Sequence, residues 1–329
     1  MTTATHTLPA GFTVRAPGTD DPPAICALLA AFDIAHMGFA DAYAPADIRE
    51  EWERLDLTAD AWVIEGPNGR MAGYGTLTDE GSGRLQADGY VHPDYWGHGI
   101  GTALVRLMDT RAAALISHAP EGARVVAGNA VLANDPAAQA ILAAAGYSLV
   151  RTHWRMAITL DAPPPRPDWP AGIAVRAFAP GRDERAVFDA VEEAFSDHWG
   201  HTPRAFEEWI ARTRREDFDP SLWFLAMDGD TVAGVALCRR RPDCGWLSTL
   251  AVRRPWRKRG LGLALLRHSF GAFYARGERT IALGVDAQSL TGATHLYEGA
   301  GMRVTMQAAI YEKELRAGED LAVRALSDG

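Results

Sequence analysis

The sequence predicts a mixed α/β fold that occurs twice along the chain, each copy with its own mixed sheet. Gly11-Phe-Thr-Val-Arg-Ala recurs as Gly172-Ile-Ala-Val-Arg-Ala, and the glycine-rich segment at Gly99 recurs at Gly260, both at an offset of 161 residues. Within each copy, hairpin signals precede a strand–helix–strand pattern, an order that combines antiparallel with parallel strand pairs. A chain of 329 residues also has room for two domains of ordinary size.

In the first copy, alternating apolar residues predict strands, and apolar residues at helical spacing predict helices. The predicted strands are 12–16, 61–65, 70–77, 85–91, 124–127 and 149–159, and the predicted helices are 22–32, 45–55, 134–145 and the segment after residue 101. The turn Gly66-Pro-Asn-Gly69 predicts a hairpin between the second and third strands. The helix after residue 101 is expected to bury Val105, Met108, Ala112 and Leu115.

The second copy repeats this order after its opening segment at Gly172. The predicted strands are 223–227, 231–239, 245–252, 280–285 and 303–312, and the predicted helices run from residue 261 to Gly277 and over 291–300. Leu263, Leu266, Phe270 and Phe273 share one face of the first of these helices. Both copies therefore have the same sequence of elements.

A proline-rich segment separates the copies. Residues 161–170 contain five prolines, which remove hydrogen-bond donors and stiffen the chain. We therefore predict an N-terminal domain over 1–160, a linker over 161–171, a C-terminal domain over 172–315 and a tail over 316–329.

The composition of the chain argues against a nucleic-acid-binding protein and against a membrane protein. The net charge of −9 disfavours a nucleic-acid-binding surface, and no apolar run approaches the roughly 18 residues that span a membrane. The first residues lack the features of a signal peptide, and Cys26, Cys238 and Cys244 lack metal-ligand spacing, as expected of free thiols in a reducing compartment. We expect a cytoplasmic monomer or homodimer without a metal.

The segment 253–259 is the chemically most informative part of the chain. It holds five Lys or Arg residues and is followed by Gly260 and Gly262 at the start of a helix. Glycines allow close approach of a ligand, and the first turn of a helix presents unpaired N–H groups to anions. The spacing differs from the three glycines of a dinucleotide-binding loop. The segment therefore predicts a phosphate or pyrophosphate site.

Arg257-x-x-Gly260-x-Gly262 resembles the pyrophosphate-loop signature of the GNAT superfamily of acyl-CoA-dependent N-acyltransferases. The segment from Thr291 to Met302 resembles the last helix of that superfamily, in which Tyr297 occupies the position of a tyrosine whose hydroxyl faces the sulfur of CoA. The resemblance implies two tandem GNAT folds. It also implies direct attack of an amine on acetyl-CoA, without a covalent enzyme intermediate.

The resemblance further assigns binding residues. Leu250, Ala251 and Val252 would pair with the pantetheine arm, and Arg257, Lys258, Arg259, Gly260, Leu261, Gly262 and Leu263 would hold the pyrophosphate. The corresponding set in the first copy is Val91, Gly97, Gly99, Gly101 and Thr102. That copy has Trp96 in place of Arg257 and Leu142 in place of Tyr297. We therefore interpret the C-terminal half as catalytic and the N-terminal half as degenerate, with acyl-CoA binding there left open.

The acceptor and the base are less well defined. Residues 196–209 correspond to the acceptor pocket implied by the resemblance, where His198, His201 and Glu208 are candidate bases; Asp286 is another. The leading hypothesis is acetyl transfer to the primary amine of a small molecule. The two-copy layout resembles mycothiol synthases, which acetylate a cysteinyl pseudodisaccharide; aminoglycoside acetylation and a non-catalytic acyl-CoA sensor or scaffold are alternatives.

Overall fold

The computed structural model describes residues 8–41, 43–196, 205–214, 218–289 and 292–321, with only the backbone at Arg212 and Arg214. These residues form two compact units. Unit 1 comprises residues 8–152 and 307–321, and unit 2 comprises residues 153–306. Among the described residues, no helix is long and apolar enough to cross a lipid bilayer.

The described elements follow the predicted order closely. The strands are β1 (Thr13–Arg15), β2 (Ala61–Glu65), β3 (Met71–Asp79), β4 (Arg84–Val91), β5 (Val125–Leu132), β6 (Ser148–Thr159), β7 (Ile173–Ala177), β8 (Trp223–Asp228), β9 (Thr231–Arg240), β10 (Gly245–Val252), β11 (Thr280–Asp286) and β12 (Arg303–Arg316). The helices are α1 (Pro22–Met37), α2 (Pro45–Trp52), α3 (Ile100–Leu115), α4 (Pro136–Ala144), α5 (Glu184–Phe195), α6 (Phe206–Ile210), α7 (Leu261–Ala275) and α8 (Ala293–Gly299).

The two units share one sheet topology. Unit 1 has the strand order β1-β2-β3-β4-β5-β12, and unit 2 has the order β7-β8-β9-β10-β11-β6. In each unit the fourth and fifth strands of this order are parallel, β4 with β5 and β10 with β11, and the other described pairs are antiparallel. The predicted mixed α/β fold in two copies is confirmed.

The last strand of each sequence copy lies in the sheet of the other copy. Residues 153–159 of β6 pair with β11, from Thr159 opposite Thr280 to His153 opposite Asp286. Residues 308–316 of β12 pair with β5. The compact units therefore do not follow the boundary predicted at 161–171, which lies inside unit 2. Local sequence patterns identify a strand but not its partner, which is why the exchange escaped sequence analysis.

The segment predicted as the start of a tail is held at its beginning. The Arg124 N–H donates to Glu319 O, and the Glu319 N–H donates to Gly122 O, each at 2.8 Å. Arg124 Nη1 also lies 3.2 Å from Asp320 Oδ2. These bonds hold residues 319–320, which follow β12, beside residues 122–124, which precede β5.

One helix in each unit forms the centre of an apolar cluster. Val105, Met108, Ala112 and Leu115 on α3 are all buried, as their spacing predicted. On α7, Leu266, Phe270 and Phe273 are buried, and Leu263 is only partly buried. Each of these helices follows the glycine-rich loop of its unit, so its packing fixes the end of that loop.

The repeat also preserves an ion pair between the first strand and the first helix of each unit. Arg15 Nη2 lies 2.8 Å from Asp21 Oδ1 in unit 1, and Arg176 Nη2 lies 2.9 Å from Asp183 Oδ1 in unit 2. The Asp183 side chain is 5 % exposed and also accepts the Ala179 N–H at 2.7 Å. Burial alone would raise the pKa of Asp183, but these hydrogen bonds lower it below its usual value.

We expect Asp183→Asn to reduce the free energy of unfolding by about 2 kcal/mol at neutral pH, because a buried carboxylate loses its charge opposite Arg176. A carboxylate with a lowered native-state pKa stabilises the fold above its unfolded-state pKa and loses this contribution as the pH falls through the native-state pKa. In urea unfolding, the difference in free energy of unfolding between the wild type and Asp183→Asn should therefore be full at pH 7 and shrink below about pH 4. Asp189→Asn, which breaks the exposed pair with Arg185, is the control and should change stability by under about 0.5 kcal/mol.

Candidate active site

The cationic loop of unit 2 connects the end of β10 to the start of α7 through a short 3₁₀ turn over Arg254–Trp256. Two residues of this loop have left-handed backbone, Lys258 with φ 58° and Gly260 with φ 82°. Gly97 and Gly99 have the same conformation in unit 1, with φ 77° and 80°. The loop shape is therefore the same in both units. In unit 2 a lysine, Lys258, takes the left-handed conformation that Gly97 takes in unit 1, although this conformation strains any residue with a Cβ.

This shape exposes backbone donors at the start of α7. The first backbone bond into the helix runs from the Ala264 N–H to Gly260 O, at 3.1 Å. The N–H groups of the first helical turn, at Leu261, Gly262 and Leu263, have no partner inside the helix. They point out of the N-terminus together with the positive end of the helix dipole, which is the arrangement that binds phosphate groups.

The strand edge next to the loop is open. β10 pairs with the parallel strand β11 only over Gly245–Leu247, and a bulge between Leu247 and Thr249 interrupts its pairing with β9. Leu250–Val252 continue beside β9 but not beside β11. Alternate backbone N–H and C=O groups of this segment therefore face the gap between the two strands, where an extended ligand can pair with them.

Arg257, which the resemblance assigned to the phosphates, binds backbone carbonyls in the structure. Its Nε donates to Val252 O at 3.1 Å and its Nη2 donates to Ala194 O at 3.0 Å. In unit 1 the indole Nε1 of Trp96 donates to Val91 O at 2.9 Å, which is the equivalent bond at an offset of 161 residues. The first signature position thus ties the loop to the end of its strand, and either an arginine or a tryptophan can do so.

The other loop cations divide into two groups. Arg253 and Arg254 contact the end of α5, with Arg253 Nε 2.6 Å from Glu193 Oε2 and Arg254 Nη2 3.2 Å from Ser196 Oγ. Lys258 and Arg259 are exposed, and within the described part of the chain their side chains form no hydrogen bond or ion pair. Within the described residues, these two side chains are therefore the loop cations that no protein group binds.

Tyr297 lies on α8 and packs in the same apolar cluster as Leu250, Val252 and Leu261. The residue is 8 % exposed, and burial raises the pKa of its hydroxyl to about 12. Among the described residues, its hydroxyl has no hydrogen-bond partner. A neutral phenol thus lies in the cluster that contains the strand end and the first residue of α7, with its proton available to a ligand.

Two comparisons with known proteins place the chain in a family. The acetyltransferase (GNAT) family model matches residues 185–302, and an acetyltransferase (GNAT) domain model matches residues 58–148. A mycothiol acetyltransferase from Thermobispora bispora is 31 % identical over 240 residues, which cover 70 % of this chain and 76 % of the relative. The chain belongs to the GNAT family of acetyltransferases.

Relatives of this GNAT protein span nearly its full length. A mycothiol acetyltransferase from Salinispora arenicola is 31 % identical over 294 residues, covering 85 % of this chain and 90 % of the relative. A GCN5-related N-acetyltransferase from Sphaerobacter thermophilus has a crystal structure that matches with a TM-score of 0.85 at 42 % identity, covering 96 % and 99 % of the two chains. A tandem GNAT protein of the clavulanic acid biosynthesis pathway shares the fold at 17 % identity, with a TM-score of 0.69 and coverage of 94 % and 100 %. The protein is thus an acyltransferase with two GNAT domains in tandem.

The first GNAT copy keeps the backbone of this site but not its side chains. β4 pairs with β5 only as far as Ala87, so Val91 lies on an open strand edge, and Gly101 and Thr102 lie in the first turn of α3. Leu142 is buried on α4 where the second copy has Tyr297. No lysine or arginine lies between Val91 and Thr102. At the position of Tyr297 this copy therefore has a leucine, which has no proton to donate.

The second glycine of the GNAT signature differs in its surroundings between the two copies. A Cβ built on Gly262 would lie 3.6 Å from Leu296 of α8, an ordinary contact distance, whereas a Cβ on Gly101 would lie 3.1 Å from Ile141 of α4. A larger residue would therefore crowd α4 in unit 1, but the position leaves room for a Cβ in unit 2.

The candidate bases are only partly placed. Glu208 lies on α6 with an exposed side chain, and Asp286, at the end of β11, accepts the Gln288 N–H at 2.9 Å. His198 and His201 lie outside the described residues. Within the described ranges, no group of three or more His, Cys, Asp or Glu side chains is arranged to hold a metal ion.

Sequence reasoning missed Glu193. This residue lies on α5, sixty positions before Arg253 in the sequence, and accepts hydrogen bonds from both Arg253 and the backbone N–H of Arg254. Its only sequence signal is a carboxylate on a helix before a basic run, a common pattern that does not indicate pairing. The contact is a product of the tertiary fold.

The substitution Lys258→Gly removes the charge of the side chain while keeping the left-handed backbone of the loop. Glycine adopts the left-handed backbone freely, and the relief of about 1 kcal/mol offsets the greater entropy of the unfolded chain, so the melting temperature should change little. Loss of the ammonium should weaken acetyl-CoA binding about 3- to 10-fold at low salt, and the difference should shrink at 0.5 M salt because exposed charges are screened. Calorimetric titration measures this effect; equal affinities at both salt concentrations would exclude Lys258 from the phosphate contacts. Lys258→Ala removes the same charge and keeps the backbone strain that the wild-type lysine already has, so it should lower affinity as Lys258→Gly does and leave the melting temperature near that of the wild type.

Proposed function

We propose that unit 2 transfers the acetyl group of acetyl-CoA to the primary amine of a small molecule by direct attack. The observation that carries the proposal is the buried Tyr297 hydroxyl, which has no partner among the described residues and packs in one cluster with the open strand end and the first turn of α7. The turn at the start of α7 would bind the pyrophosphate, the unpaired strand edge would bind the pantetheine arm, and the neutral phenol would protonate the departing sulfur.

The residues of the loop hold the nucleotide end of acetyl-CoA. The amides of Gly260 to Leu263 donate to the pyrophosphate, and Lys258 and Arg259 supply charge. The open edge of Leu250–Val252 pairs with the pantetheine amides. A backbone N–H of this edge also donates to the thioester oxygen as negative charge develops there during attack.

The transfer requires three proton movements. An alkyl amine is mostly protonated at neutral pH, so a base first removes a proton from the ammonium group. The neutral nitrogen then attacks the carbonyl carbon and loses a second proton. When the carbon–sulfur bond breaks, Tyr297 donates its proton to the departing thiolate and regains one from solvent. His198, His201 and Glu208 remain the proposed bases.

A more specific acceptor is suggested by the curated relatives, which are named mycothiol acetyltransferases. We propose a cysteinyl pseudodisaccharide amine as the first acceptor to test. An aminoglycoside, whose positive charge suits the net charge of −9, is the second.

The test combines binding with turnover in the full-length protein. Calorimetry should detect acetyl-CoA binding, and a thiol-release assay should identify at least one amine from a panel that includes both proposed acceptors. Binding without thiol release for any amine would favour an acyl-CoA sensor, and absence of binding would refute the proposed function.

A further inference from the structure

Glu193 joins the end of α5 to the beginning of the cationic loop. Its Oε2 accepts from Arg253 Nε at 2.6 Å, and its Oε1 accepts from the Arg254 N–H at 3.3 Å. One carboxylate thus binds both a loop side chain and the loop backbone at the point where the chain leaves β10. The Glu193 and Arg253 side chains are 30 % and 31 % exposed, so the pair lies partly in solvent.

Two further bonds connect the loop with the same end of α5. Arg257 Nη2 donates to Ala194 O at 3.0 Å, and Arg254 Nη2 donates to Ser196 Oγ at 3.2 Å. The last carbonyl groups of a helix have no partner inside it and carry the negative end of its dipole, which favours guanidinium groups there. Glu193, Ala194 and Ser196 therefore tie three loop arginines to the end of α5.

The first copy lacks this connection. Counted from the aspartates that precede each helix, Asp21 and Asp183, the residue equivalent to Glu193 is Ala31. The residues equivalent to Arg253 and Arg254 are His92 and Pro93, and His92 accepts the N–H of Asp94 instead. The same loop backbone forms in unit 1 without a carboxylate, so the fold does not require the ion pair.

We propose that Glu193 is a positioning residue for acyl-CoA binding, which acts by fixing the start of the loop before the ligand arrives. This inference rests on the proposed function of unit 2. Glu193 contacts neither the turn at Lys258 to Leu263 nor Tyr297 in any described bond, so its effect passes through Arg253 and the Arg254 backbone. A loop that is already ordered loses less entropy when it binds.

The charge of Glu193 makes the proposal sharply testable. Acyl-CoA is an anion, and a carboxylate beside its loop repels it. If Glu193 acted only through its charge, its removal would strengthen acetyl-CoA binding. If it positions the loop, removal weakens binding despite the more positive field. The sign of the change in affinity therefore separates the two roles.

The experiment uses the full-length protein with Glu193→Gln, which keeps an acceptor for the Arg254 N–H, and Glu193→Ala, which keeps none. Asp189→Asn on the exposed face of α5 is the matched control. Calorimetry with acetyl-CoA should show a Kd raised about 3-fold for Glu193→Gln and about 10-fold for Glu193→Ala, with no change in the control. At saturating acetyl-CoA, kcat for thiol release should stay within about 2-fold of wild type.

Three outcomes would overturn the inference: tighter binding, unchanged Kd in both Glu193 variants, or a fall in kcat as large as the fall in kcat/KM. A circular dichroism melt of each variant confirms that the fold is intact, and Glu193→Gln remains the decisive variant if Glu193→Ala does not fold. Failure of the wild-type protein to bind acetyl-CoA refutes the proposed function instead, so the two failures are distinguishable.

Discussion

Replacing Tyr297 with phenylalanine should lower kcat for acetyl transfer by about 10²-fold while the Kd for acetyl-CoA stays unchanged. The substitution removes one hydroxyl from a buried ring and leaves the packing of Leu250, Val252 and Leu261 around it intact. Among the described residues the hydroxyl has no hydrogen-bond partner, so its loss leaves no protein group unsatisfied. The effect stays at the lower end of general acid catalysis because a thiol with a pKa near 8.5 leaves readily.

The pH profile tests the same role. Burial raises the pKa of Tyr297 to about 12, so the phenol keeps its proton at every pH below that value. The ratio of wild-type to variant kcat should therefore be constant from pH 6 to pH 10, because no titration of Tyr297 falls within that range. Steady-state kinetics with saturating acetyl-CoA measure this ratio.

Tyr274→Phe on α7 is the matched control. Tyr274 lies near the C-terminal end of that helix, where its ring packs under the Arg279 guanidinium at 3.9 Å. Its replacement should leave both kcat and Kd unchanged. Equal turnover of Tyr297→Phe and wild type would remove Tyr297 from the proposed mechanism.

Separating the chain at the proline-rich segment should abolish cooperative folding of the C-terminal piece. A fragment of residues 172–329 lacks β6, so the whole of β11 loses its partner strand on that side, and β12 loses its partner β5. Met156 and Leu160 are buried in the apolar cluster of unit 2, and each contributes about 1.5–3 kcal/mol. Together with the lost strand pairing, this is comparable to the 5–15 kcal/mol that stabilises a typical domain.

Thermal unfolding monitored by circular dichroism checks this prediction. The fragment should show no cooperative transition and should aggregate through its unpaired strand edges. The control is the intact protein with a protease site inserted between residues 162 and 168. After cleavage its two pieces should elute together, since each supplies a strand to the other's sheet. A cooperative melt of the 172–329 fragment near the wild-type temperature would contradict the exchange.

Most elements of the fold could be predicted because their signals are local. The spacing of Val105, Met108 and Leu115 marks one face of α3 whatever lies opposite it, and the alternation over 245–252 marks β10. The parallel pairs followed from the order of strands and helices. The strand exchange did not, because an apolar strand pairs equally well with several neighbours, and the choice depends on contacts far apart in the sequence.

The candidate site divides in the same way. The signature predicted the loop and the start of α7, since glycines and helix starts act over a few residues. It did not predict the left-handed backbone at Lys258. It also assigned Arg257 to the phosphates, which stays a prediction; in the structure this side chain donates to the carbonyls of Val252 and Ala194. A guanidinium can donate to several acceptors, and only the positions of the neighbouring elements select among them.

Periodicity and the repeat offset were therefore sufficient to predict a duplicated α/β fold. The resemblance to the GNAT superfamily then implied an acyltransferase in which one copy keeps Tyr297 and the other has Leu142. Which strand completes which sheet, which loop cations remain exposed, and the contact of Glu193 with the loop emerged only from the folded chain. Backbone conformation depends on near neighbours along the chain, whereas hydrogen-bond and charge partners depend on which segments packing brings together.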